Sequence, residues 1–281
     1  MKHAPLKCIL CNSSNRTILI QRGDWTVYRC ADCGLAFLDP RPDQDELQDL
    51  YRNDYFSSHY DEGLKIDSPE MKRRISQEDH RIKFFRNLKR HGKVLDIGCG
   101  MGYFLYACRK HGYEVKGQDV SGDSASYVRS ELKIPVTTGQ IEEIEIEDNS
   151  MDIITMWHAL EHTPDPRKHL KKARMWLKSD GLLIVDVPNH EGTDAKKTWD
   201  NWDGWHLPYH LYHFTPDTLV SMLEKHGFTI IRSKDYHSEY IKEKLKRIPV
   251  ISLFARLIAK RYSGTSFAVV AQKSNKSMAI S

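Results

Sequence analysis

A short apolar segment that leads directly into a glycine-rich turn constrains the fold of this chain more than any other feature. Residues 94–97 have the pattern of a buried strand, glycine follows at positions 98, 100 and 102, and a helical pattern begins at residue 104. Glycine permits a tight turn, and the start of the following helix presents free N–H groups to a ligand. This context predicts a strand–turn–helix unit that binds a nucleotide-like molecule.

Strand and helix patterns alternate from residue 93 onward. Strands are predicted at 94–97, 113–117, 134–137, 151–156, 182–187, 228–233 and 266–271, with helices between most of them. Such alternation predicts an α/β fold, namely a Rossmann-like, seven-stranded, mostly parallel sheet with helices on both faces. Upstream, the run Ser68, Pro69 and Glu70 predicts the start of a helix that continues to about residue 90.

Two acids flank the glycine-rich turn. Asp96 immediately precedes it and suits a ligand that carries an ammonium group, whereas Asp119 ends the next predicted strand and can accept hydrogen bonds from ribose hydroxyls. Taken alone, Asp119 would be interpreted as a helix cap. A Rossmann-type NAD-dependent oxidoreductase is one alternative, but its fingerprint requires a small residue where this chain has Tyr103.

Residues 93–189 resemble the class I S-adenosylmethionine-dependent methyltransferases. The resemblance rests on five segments that occur in order, at residues 94–102 (VLDIGCGMG), 117–121 (GQDVS), 148–152 (DNSMD), 160–166 (LEHTPDP) and 181–185 (GLLIV). It implies S-adenosylmethionine as the cofactor and methyl transfer to an oxygen or carbon of a small-molecule acceptor, such as a sugar, lipid or isoprenoid intermediate.

The resemblance also implies roles for individual residues. The methionine part of the cofactor would be held by Asp96, Gly98, Gly100 and Gly102, the ribose by Asp119, and the adenine by the residues after Gly139, which are Gln140 and Ile141. Trp157 and His158, at the end of the fourth strand, would lie beside the methionine. Many members of the family have an acid where this chain has Gln140.

Two Cys-x-x-Cys pairs precede the α/β region. Cys8 and Cys11 are separated by 18 residues from Cys30 and Cys33, a spacing typical of a structural four-thiolate zinc site. The region resembles zinc-binding modules that precede some methyltransferases, and by that resemblance residues 51–60 would fold over the cofactor as a lid. We therefore divide the chain into a zinc-ribbon module (1–40), a helical linker or lid region (41–92) and a cofactor-binding domain (93–273). A non-enzymatic zinc-ribbon binding protein is the second alternative.

The segment 199–214 is dense in tryptophan, tyrosine and histidine and follows the fifth strand of the α/β region. It resembles a pattern found after that strand in methyltransferases that occur alongside sugar- and lipid-modifying enzymes. Aromatic side chains can line an acceptor pocket, and a histidine can accept a proton near neutral pH. We predict that His210 is the base or orients the acceptor, with His158 and His162 as further candidates. Each of them could equally be a hydrogen-bonded packing residue.

Charge and hydropathy limit the partners. A net charge of +4 does not indicate a nucleic-acid binder, and the absence of a long apolar run indicates a cytoplasmic protein. Residues 240–262 contain seven Lys or Arg and one acid around a largely apolar stretch. This pattern predicts either an interfacial helix that brings the protein to anionic membranes or a lipid-linked substrate, or an insertion packed against the sheet or a subunit partner. The oligomeric state is left open.

Overall fold

The structure is a computed structural model that describes residues 5–42, 46 and 63–274. Its strands are β1 (Arg16–Arg22), β2 (Trp25–Cys30), β3 (Ala36–Leu38), β4 (Lys93–Ile97), β5 (Glu114–Asp119), β6 (Val136–Thr138), β7 (Met151–Trp157), β8 (Leu177–Pro188), β9 (Tyr212–His213), β10 (Phe228–His237) and β11 (Ser263–Lys273). Its helices are α1 (Pro69–Phe85), α2 (Tyr103–Lys110), α3 (Gly122–Ser130), α4 (Pro166–Trp176), α5 (Thr193–Thr198), α6 (Pro216–Lys225), α7 (Glu239–Lys246) and α8 (Ala255–Ala259). The predicted lid at 51–60 lies outside the described residues.

The main sheet confirms the predicted fold class. Seven strands are ordered β10-β11-β8-β7-β4-β5-β6, and only β11 runs opposite to the other six. From β4 the chain continues to β5 and β6 on one side and returns to β7 on the other. The strand order therefore reverses beside β4, and in open α/β sheets ligands bind in the crevice at such a switch point.

Helices cover both faces of this sheet. Neighbouring residues of a strand point to opposite sides, so each face presents apolar side chains to the helices packed on it. Val94 joins a hydrophobic cluster with Phe85 of α1 and Phe104 of α2. The next residue, Leu95, joins a second cluster, which includes Trp176 of α4 and Leu219 of α6. The sheet is thus buried on both faces, as its apolar strands require.

The N-terminal module shares this second cluster. Strands β1, β2 and β3 form an antiparallel sheet, and β9 adds a fourth strand through the pairs Ala36–His213 and Phe37–Tyr212. The backbone N–H of Leu38 also donates to the carbonyl of Leu211 at 3.0 Å. The cysteine-containing module and the segment 199–214 are therefore joined by backbone hydrogen bonds.

Two helical predictions need adjustment. Ser68 caps α1 as expected, accepting from the N–H of Met71, but the helix ends at Phe85 rather than near residue 90. Beyond it, the carbonyl of Lys89 accepts from the Tyr113 hydroxyl, which holds this stretch against the sheet. Residues 240–262 form α7, a short 3₁₀ turn and α8 rather than one helix, since Pro249 disfavours helix at the preceding residue. No helix in the described ranges is long and apolar enough to cross a bilayer.

Candidate active site

The glycine-rich turn connects the end of β4 to α2. Gly98 has φ +72°, and a Cβ placed on it would lie 2.8 Å from the Cβ of Ala159. Its N–H donates to the carbonyl of Gln118 at 2.9 Å, which fixes the turn against β5. Gly100 (φ +50°) and Gly102 (φ +69°) are also left-handed, and Gly102 caps α2. Because side chains disfavour these angles, the turn presents bare backbone at the switch point.

Asp119 ends β5 beside this turn. Its buried carboxylate accepts from the N–H of Gly100 at 2.7 Å and from the N–H of Ser121 at 2.8 Å. Burial raises its pKa, although the two hydrogen bonds oppose that shift. A carboxylate can accept about four hydrogen bonds. Asp119 therefore keeps acceptor capacity for two adjacent ribose hydroxyls, as the family resemblance requires.

Asp96 lies at the end of β4, almost fully buried. The hydroxyl of Thr155 donates to it at 2.6 Å, and burial raises its pKa to about 7 despite that bond. A buried carboxylate is favoured in its ionised form when a cation is placed beside it. Together with Asp119 and the glycine backbone, Asp96 provides a fitting set of partners for an ammonium-bearing nucleoside.

The residues predicted to flank the adenine differ in accessibility. The side chain of Ile141 is fully buried in the hydrophobic cluster that includes Leu95, so only its backbone remains for a ligand. Gln140 is partly exposed, and its N–H donates to the carboxylate of Glu143 at 3.1 Å. The Gln140 amide is thus the polar side chain available at this position.

Trp157 is the last residue of β7, and His158 follows it next to the switch point. The Trp157 ring is buried against Phe104, with ring centroids 5.4 Å apart, and the Arg81 guanidinium lies 4.9 Å from its centroid. Its indole N–H has no acceptor among the described residues. His158 has φ +52°, and its side chain remains 40% exposed.

His158 lies between two buried carboxylates. Its Nδ1 is 3.4 Å from Oε1 of Glu161, and its Nε2 is 3.6 Å from Oδ1 of Asp186. Desolvation acts against protonation, but the negative charges of Asp186 and Glu161 outweigh it and raise the pKa of His158. The Tyr236 hydroxyl donates to the other oxygen of Asp186 at 2.8 Å.

Asp186, Glu161 and Tyr236 were not predicted from the sequence. An acid within the otherwise apolar run 182–188 was the available signal for Asp186. Glu161 is part of the segment 160–166, next to His162, but it was not chosen as a candidate. Tyr236 gave no such signal, because β10 was predicted to end before it.

His162 and His210 lie in a different cluster. The ring centroid of His210 is 4.5 Å from that of His162 and 5.0 Å from that of His206. His210 is buried, its Nδ1 is 2.8 Å from the carbonyl oxygen of Gly204, and burial lowers its pKa well below the usual range. In this conformation His210 is less accessible to an acceptor than His158 is.

The aromatic side chains of 199–214 are mainly core rather than the walls of an open pocket. Trp205 is fully buried, and its ring packs against Trp199, Trp202, His190 and His213. The Trp205 indole N–H donates to the carbonyl of Trp199 at 2.8 Å, which satisfies its polar atom. The segment thus anchors the N-terminal module to the α/β domain.

The four paired cysteines converge as predicted. Their Sγ atoms all lie within 4.8 Å of one another, with Cys8–Cys33 and Cys11–Cys30 each at 3.4 Å. The two turns are alike, because the residue after each pair has a positive φ: Asn12 at +61° and Gly34 at +80°. A tetrahedral zinc ion with bonds of about 2.3 Å separates its sulfur ligands by about 3.8 Å, so the cluster fits such an ion.

The strand order and the glycine-rich turn beside β4 define a class I methyltransferase architecture, and a comparison with family models agrees. A family model described as a methyltransferase domain matches residues 70–233. The match covers more than half of the chain, and the chain belongs to this family.

Individual relatives are more distant. A "probable S-adenosylmethionine-dependent methyltransferase" of Mycobacterium tuberculosis is 29% identical over 139 residues, which are 48% of each chain. A ubiquinone biosynthesis O-methyltransferase of Coxiella burnetii is 34% identical over 101 residues, or 34% of this chain and 43% of that protein. The chain thus spans about half the length of the curated relatives it matches.

Solved structures support the fold. An S-adenosylmethionine-dependent methyltransferase from Archaeoglobus fulgidus superimposes with a TM-score of 0.56 at 24% identity, covering 72% of this chain and 94% of that one. The PH0226 protein from Pyrococcus horikoshii gives 0.54 at 17% identity, covering 80% and 98%. At these identities the likeness concerns the fold alone.

Proposed function

We propose that this protein transfers a methyl group from S-adenosylmethionine to an oxygen or carbon of a small-molecule acceptor. The observation that carries the proposal is the glycine turn at 98–102, which lies between the buried carboxylates of Asp96 and Asp119 at the switch point of a methyltransferase-family sheet. Neither the oxidoreductase nor the non-enzymatic alternative gains support from the family or the relatives.

Different residues would hold different parts of the cofactor. Asp96 would pair with its ammonium group, Asp119 would accept from its ribose, and the Gln140 amide with the Ile141 backbone would flank its adenine. When bound, the cofactor supplies a methyl group already activated by a sulfonium. The protein's own task is to orient the acceptor against that methyl group and to exclude water.

Among the three candidate histidines, His158 is the one we propose as the general base. Its ring is 40% exposed at the end of β7, and the neighbouring carboxylates of Glu161 and Asp186 stabilise the imidazolium that forms when it accepts a proton. His210 and His162 would instead hold the segment 199–214 in place.

The function is tested by incubating the protein with radiolabelled S-adenosylmethionine and a cell extract, then identifying the labelled product. We expect His158→Ala to lower the transfer rate at least about 100-fold, because general-base catalysis contributes on that order. Its affinity for S-adenosylhomocysteine should fall by far less than its rate. The lack of any labelled product, together with no cofactor binding, would contradict the proposed activity.

The raised pKa of Asp96 predicts how cofactor binding depends on pH. The Asp96 carboxyl has a pKa of about 7 before binding, and an ammonium group pairs only with its ionised form. The affinity for S-adenosylhomocysteine should therefore be constant above about pH 7 and fall about tenfold for each pH unit below it. Titration calorimetry between about pH 5.5 and 8 measures this slope.

Two variants separate Asp96 from other titrating groups. Thr155→Val removes the hydrogen bond that favours ionised Asp96, so the midpoint should move to higher pH. Asp96→Asn keeps an oxygen that can accept from Thr155 and should bind weakly at every pH. A wild-type affinity that does not change below pH 7 would contradict the role of Asp96.

We also propose that the four-cysteine cluster binds a structural zinc ion. Four thiolates complete a tetrahedral shell and leave no position for a substrate. The support comes from the convergence of the four Sγ atoms and from the fully buried side chains of Leu35 and Leu38, which the second cysteine turn and β3 hold in the core.

We propose that the acceptor is an amphiphilic molecule at a membrane surface. Residues 248–262 expose apolar side chains, including Val250 (74%), Leu253 (82%) and Leu257 (65%), near Arg256, Lys260 and Arg261. Apolar side chains beside cations favour anionic bilayers. The resemblance to a ubiquinone biosynthesis O-methyltransferase agrees with a lipid-like acceptor.

Vesicle flotation tests this surface. The protein should float with vesicles that contain anionic phospholipid, and the double variant Leu253→Gln, Phe254→Gln should reduce the bound fraction at least about tenfold, since each buried apolar side chain contributes about 1.5 kcal/mol or more. Ile18→Gln, which changes another exposed apolar residue, is the matched control. Equal flotation of both variants and the wild type would refute membrane contact through 248–262.

A further inference from the structure

We propose that His162, His206 and His210 form a second metal site, which takes a divalent transition ion such as Zn²⁺. One ring nitrogen from each histidine lies within 4.8 Å of the other two. A tetrahedral zinc ion with Zn–N bonds of about 2.0–2.1 Å spaces its nitrogen ligands by about 3.4 Å. Side-chain rotations that move each ring by about an ångström would close the set around an ion.

Hydrogen bonds orient two of the three rings for metal binding. Nδ1 of His162 lies 3.1 Å from the carbonyl oxygen of Tyr209, and Nδ1 of His210 lies 2.8 Å from that of Gly204. A carbonyl can only accept, so each Nδ1 carries the proton, and in the neutral ring the lone pair is on Nε2. Metal-ligating histidines commonly donate their other N–H to a backbone carbonyl in this way.

The rings meet edge to face rather than in stacks. The interplanar angles are 79° for His162–His210, 85° for His206–His210 and 89° for His162–His206. Three mutually perpendicular rings can direct one nitrogen each toward a common point. Parallel stacking would not permit this.

A buried negative charge accompanies the triad. Glu161, adjacent to His162, is completely buried, and neither of its carboxylate oxygens accepts a hydrogen bond from the described residues. Its carbonyl accepts from the N–H of Leu211, the residue after His210, at 2.9 Å. Its carboxylate already faces the His158 imidazole, whose Nδ1 is 3.4 Å from Oε1, and a divalent ion at the triad would add a second cation near this buried charge.

The ligand set indicates the class of ion. Imidazole nitrogens favour zinc and its neighbours over magnesium or calcium. Three protein ligands leave a fourth tetrahedral position for water or an oxygen of an acceptor, unlike the closed cysteine cluster. The inference does not depend on methyltransferase activity, because metal binding is measured directly.

The experiment uses the full chain with Zn²⁺ and Co²⁺ as probes. After equilibration with Zn²⁺ and removal of the free ion, mass spectrometry should find about two ions per wild-type chain and about one in His206→Asn. Asparagine is chosen because it tolerates the left-handed backbone of His206, where φ is +36°. His226→Asn is the matched control, since its Nδ1 also meets a carbonyl, that of Met222, outside the triad.

Co²⁺ assigns each ion to its site. Thiolate-to-metal absorption in the near ultraviolet reports the cysteine cluster and should be the same in wild type and His206→Asn. The additional visible absorption of a nitrogen-bound ion should disappear in His206→Asn and persist in His226→Asn. One zinc ion or fewer in the wild type, with an unchanged Co²⁺ spectrum in His206→Asn, would overturn the second site.

Discussion

Replacing Asp119 by alanine is expected to weaken the binding of S-adenosylhomocysteine at least about 100-fold. The proposed ribose contacts include two charge-assisted hydrogen bonds worth about 1.5 kcal/mol or more each, and about 2.7 kcal/mol corresponds to 100-fold in affinity. The variant also removes the acceptor for the N–H groups of Gly100 and Ser121, which loosens the turn itself. Titration calorimetry measures the change.

Two further variants make this result specific. Asp119→Asn keeps one acceptor oxygen and should bind with intermediate affinity. Asp123→Ala removes an exposed acid from the first turn of α3, four residues away, and should bind like the wild type. If Asp119→Ala retained wild-type affinity, the proposed ribose contact would be wrong.

Replacing Cys30 by serine is expected to lower the melting temperature by about 10 °C or more and to remove zinc from the cysteine cluster. Cys30 is buried, and its Sγ lies 3.4 Å from that of Cys11. Losing a structural zinc site costs at least several kcal/mol, and each kcal/mol corresponds to about 2–4 °C for a protein of this size class. Thermal unfolding and metal analysis of the same samples measure both effects.

Cys108→Ser controls for the loss of a buried thiol. Cys108 is fully buried in α2 and lies outside the four-cysteine cluster. It should lower the melting temperature by only a few degrees, on the order of the cost of burying one hydroxyl, and leave the zinc content unchanged. Matching melting temperatures and metal contents for the two variants would argue against a structural zinc ion.

The sheet could be predicted from the sequence because its signals are local. Apolar runs such as 94–97 and 151–156, separated by helical patterns, define a parallel α/β sheet whatever their exact ends. Strand β9 could not be predicted in the same way. Two residues carry no detectable period, and the pairing of Tyr212 with Phe37 depends on how the whole chain folds.

The residues of the proposed cofactor site could be predicted for a similar reason. Asp96, Gly98 and Asp119 each lie at or directly beside a strand end, so their proximity follows from topology. The residues on the acceptor side could not be predicted, because the exposure of a side chain depends on tertiary packing. The sequence pattern favoured His210 over His158 as the base, yet the structure buries the first and leaves the second accessible between Glu161 and Asp186.

The shared sheet of the N-terminal module has a consequence for biosynthesis. Strand β3 receives its outer partner β9 only after more than half of the chain has followed it. During synthesis, the edge of β3 stays unpaired until Tyr212 leaves the ribosome. An unpaired strand edge is prone to pair with other chains. If the cysteine cluster binds zinc as proposed, early metal uptake would keep the nascent segment compact until β9 is synthesised.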